Sequence, residues 1–117
     1  MMNKKKAAQS QRPRKAKRCS MVASAEVIDI GSNTRLSARI SEIGIGGCYV
    51  DAMSPFPEGT VVHVRILRDQ GTFEAKGKVA YCDSTMGMGL EFTEIAPTQR
   101  TLLEDWLAEI VTQLKSA

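Results

Sequence analysis

Thr60-Val61-Val62-His63-Val64-Arg65-Ile66-Leu67 is the stretch that decides the fold of this chain. Val62, Val64 and Ile66 fall on one face and Val61, His63 and Arg65 on the other, the period-two pattern of a half-buried strand. Arg68-Asp69-Gln70-Gly71 follows as a hairpin loop, and Thr72 to Cys82 reads as a longer strand. Asp83-Ser84-Thr85 then turns the chain into a strand from Met86 to Phe92. Upstream, Pro55, Pro57 and Gly59 mark a loop after a strand from Cys48 to Ala52. Before it stand the glycine cluster Gly44-Ile45-Gly46-Gly47 and a run from Thr34 to Ser41, in which Leu36, Ala38 and Ile40 alternate with polar residues. Gly31-Ser32-Asn33 joins that run to Ala25–Ile30 as a hairpin. Six short strands with turn signals at regular intervals predict an all-β domain, a small antiparallel barrel or sandwich.

The period changes at the end of the chain. Leu102, Leu103, Trp106, Leu107, Ile110, Val111 and Leu114 form an apolar stripe at helical spacing, so an amphipathic helix is expected over about 97–115. Pro97 suits its first turn, where a missing N–H costs nothing, and Trp106 is its largest anchor onto the barrel.

Charge divides the chain in two. The first eighteen residues carry eight of its sixteen Lys and Arg and none of its thirteen Asp and Glu. The remaining 99 residues therefore hold eight basic and thirteen acidic side chains, a net −5 behind a +8 arm. We expect residues 1–18 to be a flexible basic arm, since they lack apolar content for a core and Pro13 interrupts any helix, and residues 19–117 to be the folded domain. The asymmetry points to an anionic partner: a nucleic acid, a membrane surface or a phosphate-bearing ligand. Within the arm Arg14 and Arg18 stand about 13 Å apart if extended and about 6 Å apart if helical, either of which brackets a small dinucleotide. Each guanidinium can hold a phosphate bidentately or stack on a base. The arm has no interleaved aromatic residues to stack a single strand, which disfavours nonspecific nucleic-acid binding.

Other classes are disfavoured by what the chain lacks. No apolar run approaches the roughly 20 residues that span a bilayer, and no apolar segment follows the basic start as in a signal peptide, so a cytoplasmic protein is expected. Cys19, Cys48 and Cys82 are odd in number and widely spaced, which suits reduced thiols better than a metal site or disulfides. His63, the single histidine, reads as a strand residue rather than a base or ligand, and no serine or thiol has a local activating partner. We therefore expect no enzymatic activity, no metal and no cofactor.

The arm and the glycine cluster, in this order on a six-stranded barrel with a closing helix, resemble the PilZ domain family. Arg14-Lys15-Ala16-Lys17-Arg18 matches the family's R-x-x-x-R, and twenty-three residues separate Arg18 from Glu42, a family-like interval. Gly89-Leu90-Glu91-Phe92, Gln99-Arg100 and the Leu-rich helix are similar to its final strand and helix. The second motif, [D/N]-x-S-x-x-G, can be placed in two registers. Glu42-Ile43-Gly44-Ile45-Gly46-Gly47 keeps a carboxylate and the final glycine, whereas Arg39-Ile40-Ser41-Glu42-Ile43-Gly44 keeps serine and glycine. The first is preferred because Gly47 leads directly into the apolar strand Cys48-Tyr49-Val50.

The resemblance implies a six-stranded antiparallel barrel that binds cyclic di-GMP. Arg14 and Arg18 would engage its phosphates and guanines, Glu42 a guanine edge, and Gly44 and Gly47 the turn forming the opposite wall. It further implies that the arm closes over the barrel on binding and alters a surface read by a protein partner, for example in motility or pilus machinery. The alternative is a divergent PilZ-like adaptor that no longer binds the nucleotide and works through protein contacts.

Overall fold

The computed structural model describes residues 18–69 and 71–116, with side chains described up to residue 113. Six strands, β1 (Arg18–Asp29), β2 (Arg35–Gly44), β3 (Gly47–Asp51), β4 (Val61–Arg68), β5 (Gly71–Asp83) and β6 (Gly87–Glu94), precede one helix, α1 (Pro97–Ser116). All the strand pairings are antiparallel, and they close in the order β1-β2-β3-β6-β5-β4, so the barrel expected from the resemblance is the architecture observed. Arg14 and the rest of the arm before Arg18 lie outside the described residues.

The alternating residues of β4 behave as their pattern dictates. Val62, Val64 and Ile66 are fully buried, while His63 and Arg65 face outward beside Glu74. Val27, Ile40, Ile43, Val50, Val79 and Leu90 complete an interior that water does not reach. At about 25 cal/mol per Å2 of apolar surface removed from water, these branched side chains are the main stabilisation of the barrel.

Two boundaries differ from the sequence reading by three residues or more. β1 begins at Arg18, the last residue of the expected arm and seven residues before Ala25. Its early inner positions are Cys19, Met21 and Ala23, of which Met21 and Ala23 are buried, while Ser20, Val22 and Ser24 are exposed. The alternation is present, but Cys19 and Ala23 on the inner face are small and the outward Val22 is apolar, which weakens the signal. A shift in register lets Met21 and Val22 oppose the single residue Ser41, so the strand bends without losing its pattern. β2 likewise runs on to Gly44 rather than stopping at Ser41.

α1 closes the barrel through Leu103, Trp106 and Ile110, all buried. Trp106 packs at 6.3 Å between ring centroids from Phe73, itself 5.2 Å from Phe92. The Arg68 guanidinium covers the outer side of the indole at 5.8 Å and pairs with Glu109. Gln99 Oε1 accepts the Glu74 backbone N–H at 2.7 Å, pinning the first turn to β5. Val111, counted in the apolar stripe, is exposed, so the buried face is narrower than the stripe.

Candidate ligand-binding site

A two-residue turn, Ile45-Gly46, sets Gly44 of β2 opposite Gly47 of β3. On the other side of β2, Arg18 of β1 pairs with Gly44. Arg18, Gly44 and Gly47 thus form one row across three strands on the outside of the barrel. With no side chain on the two glycines, the arginine can extend over both strands and reach β6. Its Nη2 donates to the Leu90 carbonyl at 3.3 Å, while Nη1 is buried and has no hydrogen-bond partner among the described residues.

Gly47 is the position that permits this. A Cβ there would lie 2.0 Å from the Leu90 carbonyl oxygen and 2.9 Å from Arg18 Nη2. Glycine can serve through positive φ, a bulge or close backbone approach. Among the described glycines only Gly59 has positive φ, at 93°, so close approach is the reason at Gly47.

Glu42 occupies the next row, paired with Ser20 on β1 and with Tyr49 on β3. It is two residues from Gly44 on the same face, so its carboxyl stem starts about 7 Å from the glycine row. The alternative register would use Arg39 and Ser41 instead. Arg39 is exposed and pairs with Asp51, and Ser41 sits at the β2 irregularity with its hydroxyl on Asp51 at 3.1 Å. The register beginning at Glu42 is the one that gathers carboxylate, glycines and Arg18 on one face.

Electrostatics beneath the row follow from burial. Cys48, between Gly47 and Tyr49 but facing the core, has its thiol pushed up to about 12 by burial, with the Arg18 charge pulling the other way. Cys48 is therefore an inert neutral core residue. Arg18 and Glu42 give the outer face one fixed cationic donor and one anionic acceptor, suited to an anion carrying a polar, N–H-bearing ring.

Two further residues escaped the sequence reading. Tyr49 and Tyr81 lie on either side of β6, level with Gly89 in the paired rows, with ring centroids 6.2 Å apart and 34° between planes. Tyr49 donates its hydroxyl to Asp83 at 2.7 Å; burial, then that bond, hold its phenol well above its usual range. The signal available was the alternation Gly87-x-Gly89 on a strand between two tyrosines, legible only once the strand pairing is known.

The remaining expectations concern other faces. His63 bonds Glu74 at 3.0 Å and is partly exposed, in keeping with a strand histidine. Among the described residues no group of three or more His, Cys, Asp or Glu could hold a metal ion, and no helix is long and apolar enough to cross a membrane.

The family model described as PilZ domain matches residues 12–109. The chain belongs to the PilZ domain family. Among solved structures, the PilZ fold recurs in the Bacillus subtilis inhibitor of motility (MotI/DgrA), at a TM-score of 0.70 and 20% identity over 89% of this chain and 53% of that one. It recurs in Escherichia coli YcgR in complex with c-di-GMP, at a TM-score of 0.74 and 15% identity over 88% of this chain and 48% of that one. The separate PilZ domain of YcgR with c-di-GMP matches at a TM-score of 0.72 and 15% identity, over 90% of this chain and 96% of the domain. The chain thus spans about half the length of the first two proteins and nearly all of the isolated domain. No curated protein matches it.

Proposed function

We propose that this PilZ domain is a cyclic di-GMP receptor that acts by binding and not by catalysis. The observation that carries the reading is Arg18, in the row of Gly44 and Gly47 and close against Gly47, with Nη1 buried and without a hydrogen-bond partner among the described residues. Leaving a buried donor unsatisfied costs about 1–3 kcal/mol, and more for a charged group, so a phosphate oxygen placed there recovers what the unliganded protein forgoes. Glu42, one row away, accepts from a guanine N–H edge. Arg14, outside the described residues, supplies the second guanidinium as the arm closes over the barrel, and the altered face is then read by a protein partner such as motility or pilus machinery. The c-di-GMP complexes of YcgR and of the Borreliella burgdorferi PlzA protein support the choice of ligand.

Gly44 stands where the family motif carries serine. One neutral hydrogen bond fewer is worth about 0.5–1.5 kcal/mol, a several-fold weaker affinity. The test is a calorimetric titration with cyclic di-GMP at moderate salt. Binding should be seen, should largely vanish in Arg14→Ala and Arg18→Ala, and should weaken in Glu42→Ala. No heat at up to about 100 µM ligand, an affinity worth less than about 5.5 kcal/mol, would overturn the receptor reading in favour of an adaptor acting through protein contacts.

A further inference from the structure

The outer face of β6 is paved with aromatic rings. Gly87 and Gly89 point outward on that strand and yet are buried, because tyrosines from the two neighbouring strands lie over them. A Cβ at Gly87 would come within 2.8 Å of Tyr49 Cε2, and one at Gly89 within 2.2 Å of Tyr81 Cε1. Each ring therefore rests on strand backbone where a side chain would otherwise stand. Both tyrosines remain partly exposed. The Tyr49 hydroxyl is tethered to Asp83 at 2.7 Å, which fixes that ring in place.

This pavement adjoins the arginine–glycine row. Tyr49 is two residues beyond Gly47 on the same face of β3, about 7 Å away, and directly opposite Glu42, with about 5 Å between Cβ atoms. A ligand whose phosphate meets Arg18 and whose ring edge meets Glu42 has its next planar group above Tyr49.

We infer that Tyr49 and Tyr81 form a stacking shelf for a guanine base of the bound cyclic dinucleotide. This rests on the receptor reading above. The chemistry is that of a held aromatic face: a purine settles on a ring at van der Waals distance, and the rings, seated on the glycine floor with Tyr49 also tethered to Asp83, lose little freedom on binding. The alternative role for the rings is to shield the β6 backbone without touching ligand.

Affinity for cyclic di-GMP separates the two roles. Tyr49→Leu and Tyr81→Leu keep a large apolar cover over the glycines but remove the π-face, and should weaken binding by about 5- to 100-fold in total. Tyr49→Phe and Tyr81→Phe keep the ring and should stay within about threefold of the parent. Because a leucine variant could unfold, the parent protein is also examined by nuclear Overhauser NMR, where contacts between the guanine H8 proton and tyrosine ring protons are expected. Parent-level affinity in folded leucine variants, or binding without such contacts, overturns the shelf and leaves the receptor reading standing. Failure of the parent to bind overturns both.

Discussion

Replacing Gly47 by alanine tests the packing on which the candidate site depends. The new methyl would sit 2.0 Å from the Leu90 carbonyl oxygen, 3.1 Å from its carbon and 2.9 Å from Arg18 Nη2. Carbon atoms pack at about 3.5–4.0 Å, so β3 and β6 would have to part by roughly 1 Å or more at a paired position. Overpacking of this kind costs about 1–3 kcal/mol, and loss of the charge-assisted Arg18–Leu90 bond about 1.5–3 kcal/mol. Together they amount to about 2.5–6 kcal/mol, against about 5–15 kcal/mol for the stability of a domain this size. Each kcal/mol lowers Tm by about 4–8 °C in a domain of up to 100 residues, so Gly47→Ala should lower it by at least about 10 °C. Thermal unfolding followed by the fluorescence of Trp106, the single tryptophan, reads this directly. The control is next door: a Cβ at Gly46 meets nothing within 4 Å, so Gly46→Ala should be neutral or slightly stabilising. A fall of less than about 3 °C in Gly47→Ala, or equal falls in both variants, would refute the packing argument.

Alkaline pH should destabilise the domain in a defined window. The Cys48 thiol is raised from 9.0 to about 12 by burial, so its contribution to stability is fully present below pH 9.0 and is lost as pH rises through about 12. The slope reaches about 1.4 kcal/mol per pH unit there, and the raised Tyr49 phenol adds in the same sense above its ordinary 10.0; urea midpoints should show the decline, and Cys48→Ala should flatten it. With a disulfide thiol reagent, exposed Cys82 should react first and buried Cys48 only at the rate of unfolding, whereas rapid labelling of all three would contradict the core placement. Trp106→Ala should cost about 3–5 kcal/mol by urea unfolding and release α1 from Phe73; a loss under about 1 kcal/mol would show that the helix is not needed to close the core.

What could be read in advance followed the strength of local alternation. β4, with Val62, Val64 and Ile66 on one side, declares itself, as does the helix carrying Leu103, Trp106 and Ile110. The first half of β1 obeys the same rule, but Cys19 and Ala23 on its inner face are small and Val22 on its outer face is apolar, so the contrast is weak and Arg18 reads as arm instead of strand. Val111 fits the stripe by spacing yet is exposed, because spacing does not say how far the barrel extends beneath a helix. For the candidate site, Gly44, Gly46 and Gly47 stood out as a cluster, but their different duties depend on Leu90, more than forty residues away. The tyrosine pavement was illegible for the same reason: it joins β3, β5 and β6, and nothing local to Tyr49 announces Gly87.

The Arg18–Leu90 bond has a consequence for how such a domain would respond to its signal. A ligand that recruits the whole guanidinium must compete with a carbonyl already holding one of its nitrogens at 3.3 Å. Releasing a charge-assisted bond of about 1.5–3 kcal/mol lowers apparent affinity by about 10- to 150-fold relative to an arginine with no prior engagement. If the domain is the receptor proposed above, the internal carbonyl would set its threshold. Changes to the β6 backbone near Leu90 would shift the concentration at which the domain responds while leaving every ligand-touching side chain in place.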